Sequence, residues 1–126
     1  LNVCAFGSIT DKYNVPYWNS YTQSKNKLRR IIKKSISLNK SFEIRGIFVD
    51  ISTADTGNER NLRPNADRTY WLITKEILAI SMEILNDVKR PWTEVNLFKN
   101  NPYFNPTWYT NHENVLERWT NQMGVK

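Results

Sequence analysis

Phe42 to Ile51 reads FEIRGIFVDI. Apolar and polar residues alternate at its start, and then Ile47, Phe48 and Val49 follow without a break. Alternation suits a strand with one wet face, whereas an unbroken apolar run suits a strand covered on both. A change from the first pattern to the second predicts the central strand of a sheet packed by helices. Gly46 marks a candidate bulge, since a glycine inside a strand often does. On its N-terminal side, Leu1 to Phe6 (LNVCAF) is a short apolar run closed by Gly7. Trp92 to Phe98 sets Thr93, Val95 and Leu97 against Glu94 and Asn96. Both read as strands, the later one at an edge with one exposed face.

Helical periods fill the intervals. Ser20 and Gln23 have capping-box spacing, so a helix is expected from Ser20. Leu28, Ile31, Ile32 and Ile36 then share one face, while Lys25, Arg29 and Lys33 fall on another. From Asp67 to Val88 a long buried helix is expected, because Tyr70, Ile73, Ile77, Ile80, Ile84 and Val88 recur at steps of three and four. Trp71, Leu78 and Leu85 widen that stripe, and Pro91 ends the segment. Thr110 and Glu113 form a second capping box, followed by Val115, Leu116, Trp119 and Met123 on one side and Gly124 as terminal cap. Ser8 to Asn19 and Ser52 to Ala66 carry loop chemistry, with room in either for a fourth strand.

The order strand, helix, strand, helix, strand, helix predicts an α/β fold. It is a small three-layer sandwich on a mostly parallel sheet of three to four strands, with residues 1–126 forming a single domain. Connections of this length suit parallel pairing through right-handed crossovers. The chain of 126 residues, 40% apolar and 13% aromatic, is long enough to bury a core without a disulfide or a structural metal. Its one cysteine, Cys4, excludes a disulfide framework and a CxxC zinc site, and its one histidine, His112, excludes the two-histidine metal motifs. No run has the roughly 18 apolar residues of a membrane span. Cys4 without a partner fits a reducing compartment, and the expected location is intracellular, in the cytoplasm.

Charge is the most informative feature. The net charge is +6, but residues 25–45 hold eight Lys and Arg against Glu43 alone, which leaves the rest of the chain slightly acidic. Lys25, Lys27, Arg29, Arg30, Lys33 and Lys34 therefore point to nucleic acid or another polyanion as partner, held by phosphate contacts and counterion release. Tyr17, Trp18 and Tyr103 lie in or beside irregular segments where bases can stack on them, which tilts the expectation toward RNA or single strands. The leading reading is an accessory nucleic-acid-binding domain.

A reading of another class places chemistry at the C-terminal ends of the strands, where parallel sheets gather ligands. Ser8, Thr10 and Asp11 follow the first strand, and Asp50, Ser52, Thr53 and Asp55 follow the second. Lys99, Asn100 and Asn101 follow the third. Asp50 and Asp55 are the candidate metal ligands and catalytic carboxylates of a small enzyme acting on a phosphorylated or nucleotide-like substrate, with Mg²⁺ as its one cofactor. Ser8 is a candidate nucleophile. No cofactor is expected under the leading reading. A third possibility is a structural subunit whose basic helix faces an acidic neighbour in a larger assembly.

Two short runs resemble blocks of known families. Phe6 to Thr10, FGSIT, resembles the nucleophile block of SGNH-type esterases, with Ser8 as its serine. It lacks the Asp between Gly and Ser, the block with an oxyanion Asn and the closing Asp-x-x-His. Phe48 to Ser52, FVDIS, with Glu76 on the next helix, resembles an RNase H-like core. The segment after Ser52 is too short for that family's hairpin, and Asn100 or Asn101 stands at its third acidic position. Neither family is assigned.

Overall fold

A computed structural model describes residues 1–12, 15, 18–40, 43–99 and 111–124. The fold is mixed α/β, with a parallel sheet of three strands and four α-helices among the described residues. In chain order the elements are β1 (Asn2–Ser8), a 3-10 turn (Ile9–Lys12), α1 (Asn19–Leu38), β2 (Arg45–Ile51), β3 (Ala54–Asp55), α2 (Gly57–Leu62), β4 (Leu72–Ile73), α3 (Thr74–Asp87), β5 (Trp92–Leu97) and α4 (His112–Met123). The sheet order is β1-β2-β5, which puts β2, with Ile47, Phe48 and Val49, at its centre as the apolar run requires. Of the two segments with room for a fourth strand, the one after Ser52 contains β3, which pairs with β4 in a separate two-stranded sheet.

Alternation along β2 divides the core. Ile47, Val49 and Ile51 face α3, where they pack with Leu85, Ile84 and Val88 and with Cys4, Phe6, Val95 and Leu97. Gly46, Phe48 and Asp50 face α1: Gly46 lies against Ile36, and Phe48 and Asp50 against Arg29. The steps from β1 to β2 and from β2 to β5 run the same way across the sheet, yet α1 and α3 cover opposite faces. Parallel crossovers so placed have opposite hands, so one departs from the right-handed rule expected from sequence. The second connection, residues 52–91, is no plain crossover, because it contains the β3–β4 pair and α2.

Several local expectations change. Gly46 forms no bulge, since it pairs in register with Val3 and Trp92. A Cβ there would stand 2.3 Å from Ile36 Cδ1 and 3.1 Å from the Trp92 ring, so the glycine permits close approach. Gly7 does not close β1 but pairs opposite Asp50. Helix α1 starts at Asn19 without a side-chain cap, so Ser20 is helical and its carbonyl accepts from Ser24 Oγ. The last helix is capped by Asn111, whose Oδ1 accepts from Asn114 N at 3.1 Å, and it ends on Gly124 at φ 70° as expected. Thr110 of the expected capping box lies outside the described residues.

The long third helix starts at Thr74 rather than Asp67, and it buries Ile77, Ser81 and Leu85 while Leu78 and Ile80 stay exposed, as does Ile73 in β4. A helix apolar around most of its circumference gives its period no single reading. In α1 the inward face is Thr22, Arg29 and Ile36, seven residues apart, with Ile32 half-buried beside them; Leu28 and Ile31 point to solvent.

Candidate functional site

At the C-terminal end of the sheet, on the face toward α1, one arginine gathers three carboxylates. The strand register brings Asp50 beside Gly7, and Glu94 beside Phe48. Arg29 lies with its guanidinium 4.6 Å from the centre of the Phe48 ring. From there Nη2 reaches Asp50 Oδ1 at 2.9 Å and Asp11 Oδ2 at 3.6 Å, while Nε lies 2.9 Å from Glu94 Oε1. Asn26 Oδ1, one turn earlier on α1, accepts from Nη1. The Asp11 and Asp50 side chains are 0% and 3% exposed, so Arg29 neutralises charge that water cannot reach. Gly7 makes room for the arrangement, since a Cβ there would stand 2.3 Å from both Asp50 Oδ1 and Phe48 Cε1.

Asp11 is fixed by the turn that follows β1. Its Oδ2 accepts from Ser8 N at 3.2 Å, and Ser8 Oγ lies 2.6 Å from Thr10 Oγ1. Burial is the main force raising the Asp11 pKa above the usual aspartate value. The Ser8 amide opposes that rise, the nearby Asp50 charge adds to it, and Arg29 and Lys25 work against it. Ser8 therefore braces a turn through its backbone and hydroxyl. Lys25 is half-buried and donates Nζ to Phe6 O at 3.1 Å, tying α1 to the end of β1.

Each carboxylate of the expected metal pair meets an arginine. Asp50 is engaged by Arg29, and Asp55 by Arg60 through two bonds of 2.6 and 2.9 Å, which hold its carboxyl below the usual range. Among the described residues no group of three or more His, Cys, Asp or Glu side chains is disposed to hold a metal ion. No described helix is long and apolar enough to cross a membrane.

The expected basic set divides. Lys25 and Arg29 turn inward, while Lys27, Arg30, Lys33 and Lys34 are exposed and have no ion pair among the described residues. Helix α1 contains no acidic residue, so its outward charge is uncompensated along its own length. Of the expected stacking aromatics, Trp18 is already packed edge-on to Trp119, ring centres 4.8 Å apart. Tyr17 and Tyr103 lie outside the described residues, as do Asn100 and Asn101.

Sequence reasoning missed Glu94 as a member of the cluster, and it missed Arg63. That guanidinium lies near two indoles, 5.0 Å from the Trp71 ring centre and 4.9 Å from that of Trp119. It also donates to Glu59, to Thr53 Oγ1 and to Gln122 Oε1, so it joins α2 and the residue before β3 to α4. An open cavity of about 360 Å³ beside it is lined by Asn65, Asn114, Glu117, Arg118, Asn121 and Gln122. It involves neither α1 nor the strand ends. Comparison with known proteins found no matching family model, curated protein or solved structure.

Proposed function

We propose that the protein is an accessory nucleic-acid-binding domain, working without catalysis, whose contact surface is the outward side of α1. The carrying observation is the division of the basic set: Lys27, Arg30, Lys33 and Lys34 stand exposed and unpaired among the described residues, on a helix with no acidic residue. Lys25 and Arg29 leave the expected contact set, because one braces β1 and the other neutralises buried carboxylates. Phosphate contact by four exposed cations gives affinity without base recognition. RNA or single strands remain the preferred form. That preference rests on Tyr17 and Tyr103, since Trp18 is engaged with Trp119.

The test is a titration of labelled single-stranded RNA of mixed sequence across about 50 to 200 mM salt. Four phosphate contacts give a slope of log K against log salt of about −3 on a single strand. Binding that does not respond to salt would reject the reading. The enzyme alternative requires Asp50 to leave Arg29 for Mg²⁺, and calorimetry with millimolar Mg²⁺ is expected to give no heat.

A further inference from the structure

Phosphate binding accounts for the cations of α1 but not for the apolar residues beside them. Tyr21, Leu28, Ile31 and Leu38 are 49%, 38%, 52% and 70% exposed. With Ser24 and Ser35, both exposed, they occupy 21, 24, 28, 31, 35 and 38, an unbroken alternation of steps of three and four. That is the a and d spacing of a heptad repeat, here running about 25 Å along the helix at 1.5 Å per residue. Lys27 and Lys34 each precede an a position and so take the g positions, which in a coiled coil meet the flanking charges of the facing helix. Arg30 extends the basic border on the solvent side. A nucleic-acid backbone has no use for a line of Leu and Ile. A second copy of this chain offers no opposite charge: packed antiparallel it would set Lys27 and Lys34 against cations of the same set, and packed parallel it would set them against Ile32 and Asn39.

We propose that the exposed heptad seam of α1 takes one amphipathic helix of a partner protein, with apolar a and d residues and Glu at the positions flanking them. The seam supplies the packing, and the cations set partner choice and orientation. This goes beyond the nucleic-acid reading, because it rests on the apolar residues and shares only the charges.

The probe is a synthetic three-heptad peptide with Leu at a and d and Glu at every e and g position, whose own charges keep it from pairing with itself. The whole chain is expected to bind it saturably, and Leu28→Gln with Ile31→Gln to weaken binding at least 30-fold at unchanged melting temperature and unchanged affinity for single-stranded RNA. Lys27→Glu with Lys34→Glu is expected to lose the Glu-flanked peptide and to bind one with Lys at e and g instead. The proposal is overturned if the Glu-flanked peptide does not bind, if it binds equally to the Leu28 and Ile31 variant, or if reversing both sets of charges restores nothing. Self-association lost in that same variant would assign the seam to a second copy, and peptide-free binding to phosphatidylserine vesicles through Leu28 and Ile31 would assign it to a membrane surface; either result overturns the proposal. If RNA binding fails while the peptide behaves as stated, the nucleic-acid reading falls and this one stands.

Discussion

The two faces of the three-stranded sheet are held by different forces. Toward α3, β2 presents Ile47, Val49 and Ile51 to Leu85 and its apolar neighbours. Toward α1, it presents Phe48 and Asp50 to a guanidinium shared among three carboxylates. Apolar contact is non-directional and leaves a helix some freedom of rotation. Ion pairing and ring stacking demand one orientation. On the α1 side Arg29 must meet Asp50 and Asp11, which turns Thr22 and Ile36 inward with it and sends Lys27, Arg30 and Lys34 outward. A buried charge on one helix face thus fixes which charges the other face offers to a partner.

The sharpest way to break the comparison is Arg29→Met. It leaves Asp50 and Asp11 buried without their cation, and a loss of about 3–5 kcal/mol is expected by urea denaturation. A loss below about 1 kcal/mol would mean that the cluster does not set the rotation of α1. On the apolar face, Leu85→Ala removes a side chain only 5% exposed and is expected to cost about 2–4 kcal/mol by the same measurement. The outward basic side should then stay as it is, whereas Arg29→Met should alter the hydrogen exchange of α1. Gly7→Ala forces a methyl against Asp50 and Phe48, and a midpoint shift equivalent to about 1–3 kcal/mol follows.

A smaller effect separates the faces by pH. Burial raises the folded pKa of Asp11 above its unfolded value, so folding favours the protonated carboxyl. That stabilising contribution is whole below the ordinary aspartate value of about 3.9 and is lost as pH rises through the raised one. Thermal melts from about pH 4 upward should therefore show the parent losing stability relative to Asp11→Asn. The Leu85→Ala variant should follow the parent's pH profile. A constant difference between parent and Asp11→Asn would contradict the burial of a charged Asp11.

Legibility in the sequence followed the same divide. The central strand was plain, because Ile47, Phe48 and Val49 need cover on both faces and only a central position supplies it. The rotation of α1 was hidden. Four aliphatic residues outvote one arginine on any hydrophobicity scale, while the partners of Arg29 come from β2, β5 and the turn at Asp11, far apart in the chain. The spacing of Thr22, Arg29 and Ile36 carried the signal, though only the carboxylates give it meaning. Arg63 was equally hidden, since its value depends on the rings of Trp71 and Trp119, far apart in the chain, both reaching its guanidinium. The concentration of charge in residues 25–45 was visible at once, but its division into structural and exposed cations required the fold.

The central claim is that the outward cations of α1 are the working surface and the inward ones are not. Its most direct test is the salt dependence of single-stranded RNA binding for Lys27→Gln, Arg30→Gln, Lys34→Gln together, beside the parent. Exposed substitutions of this kind change stability by less than about 0.5 kcal/mol each, so the triple variant should fold. The account predicts that its slope of log K against log salt falls in magnitude by about 2, the share of three phosphate contacts on a single strand. An unchanged slope with unchanged affinity would contradict it.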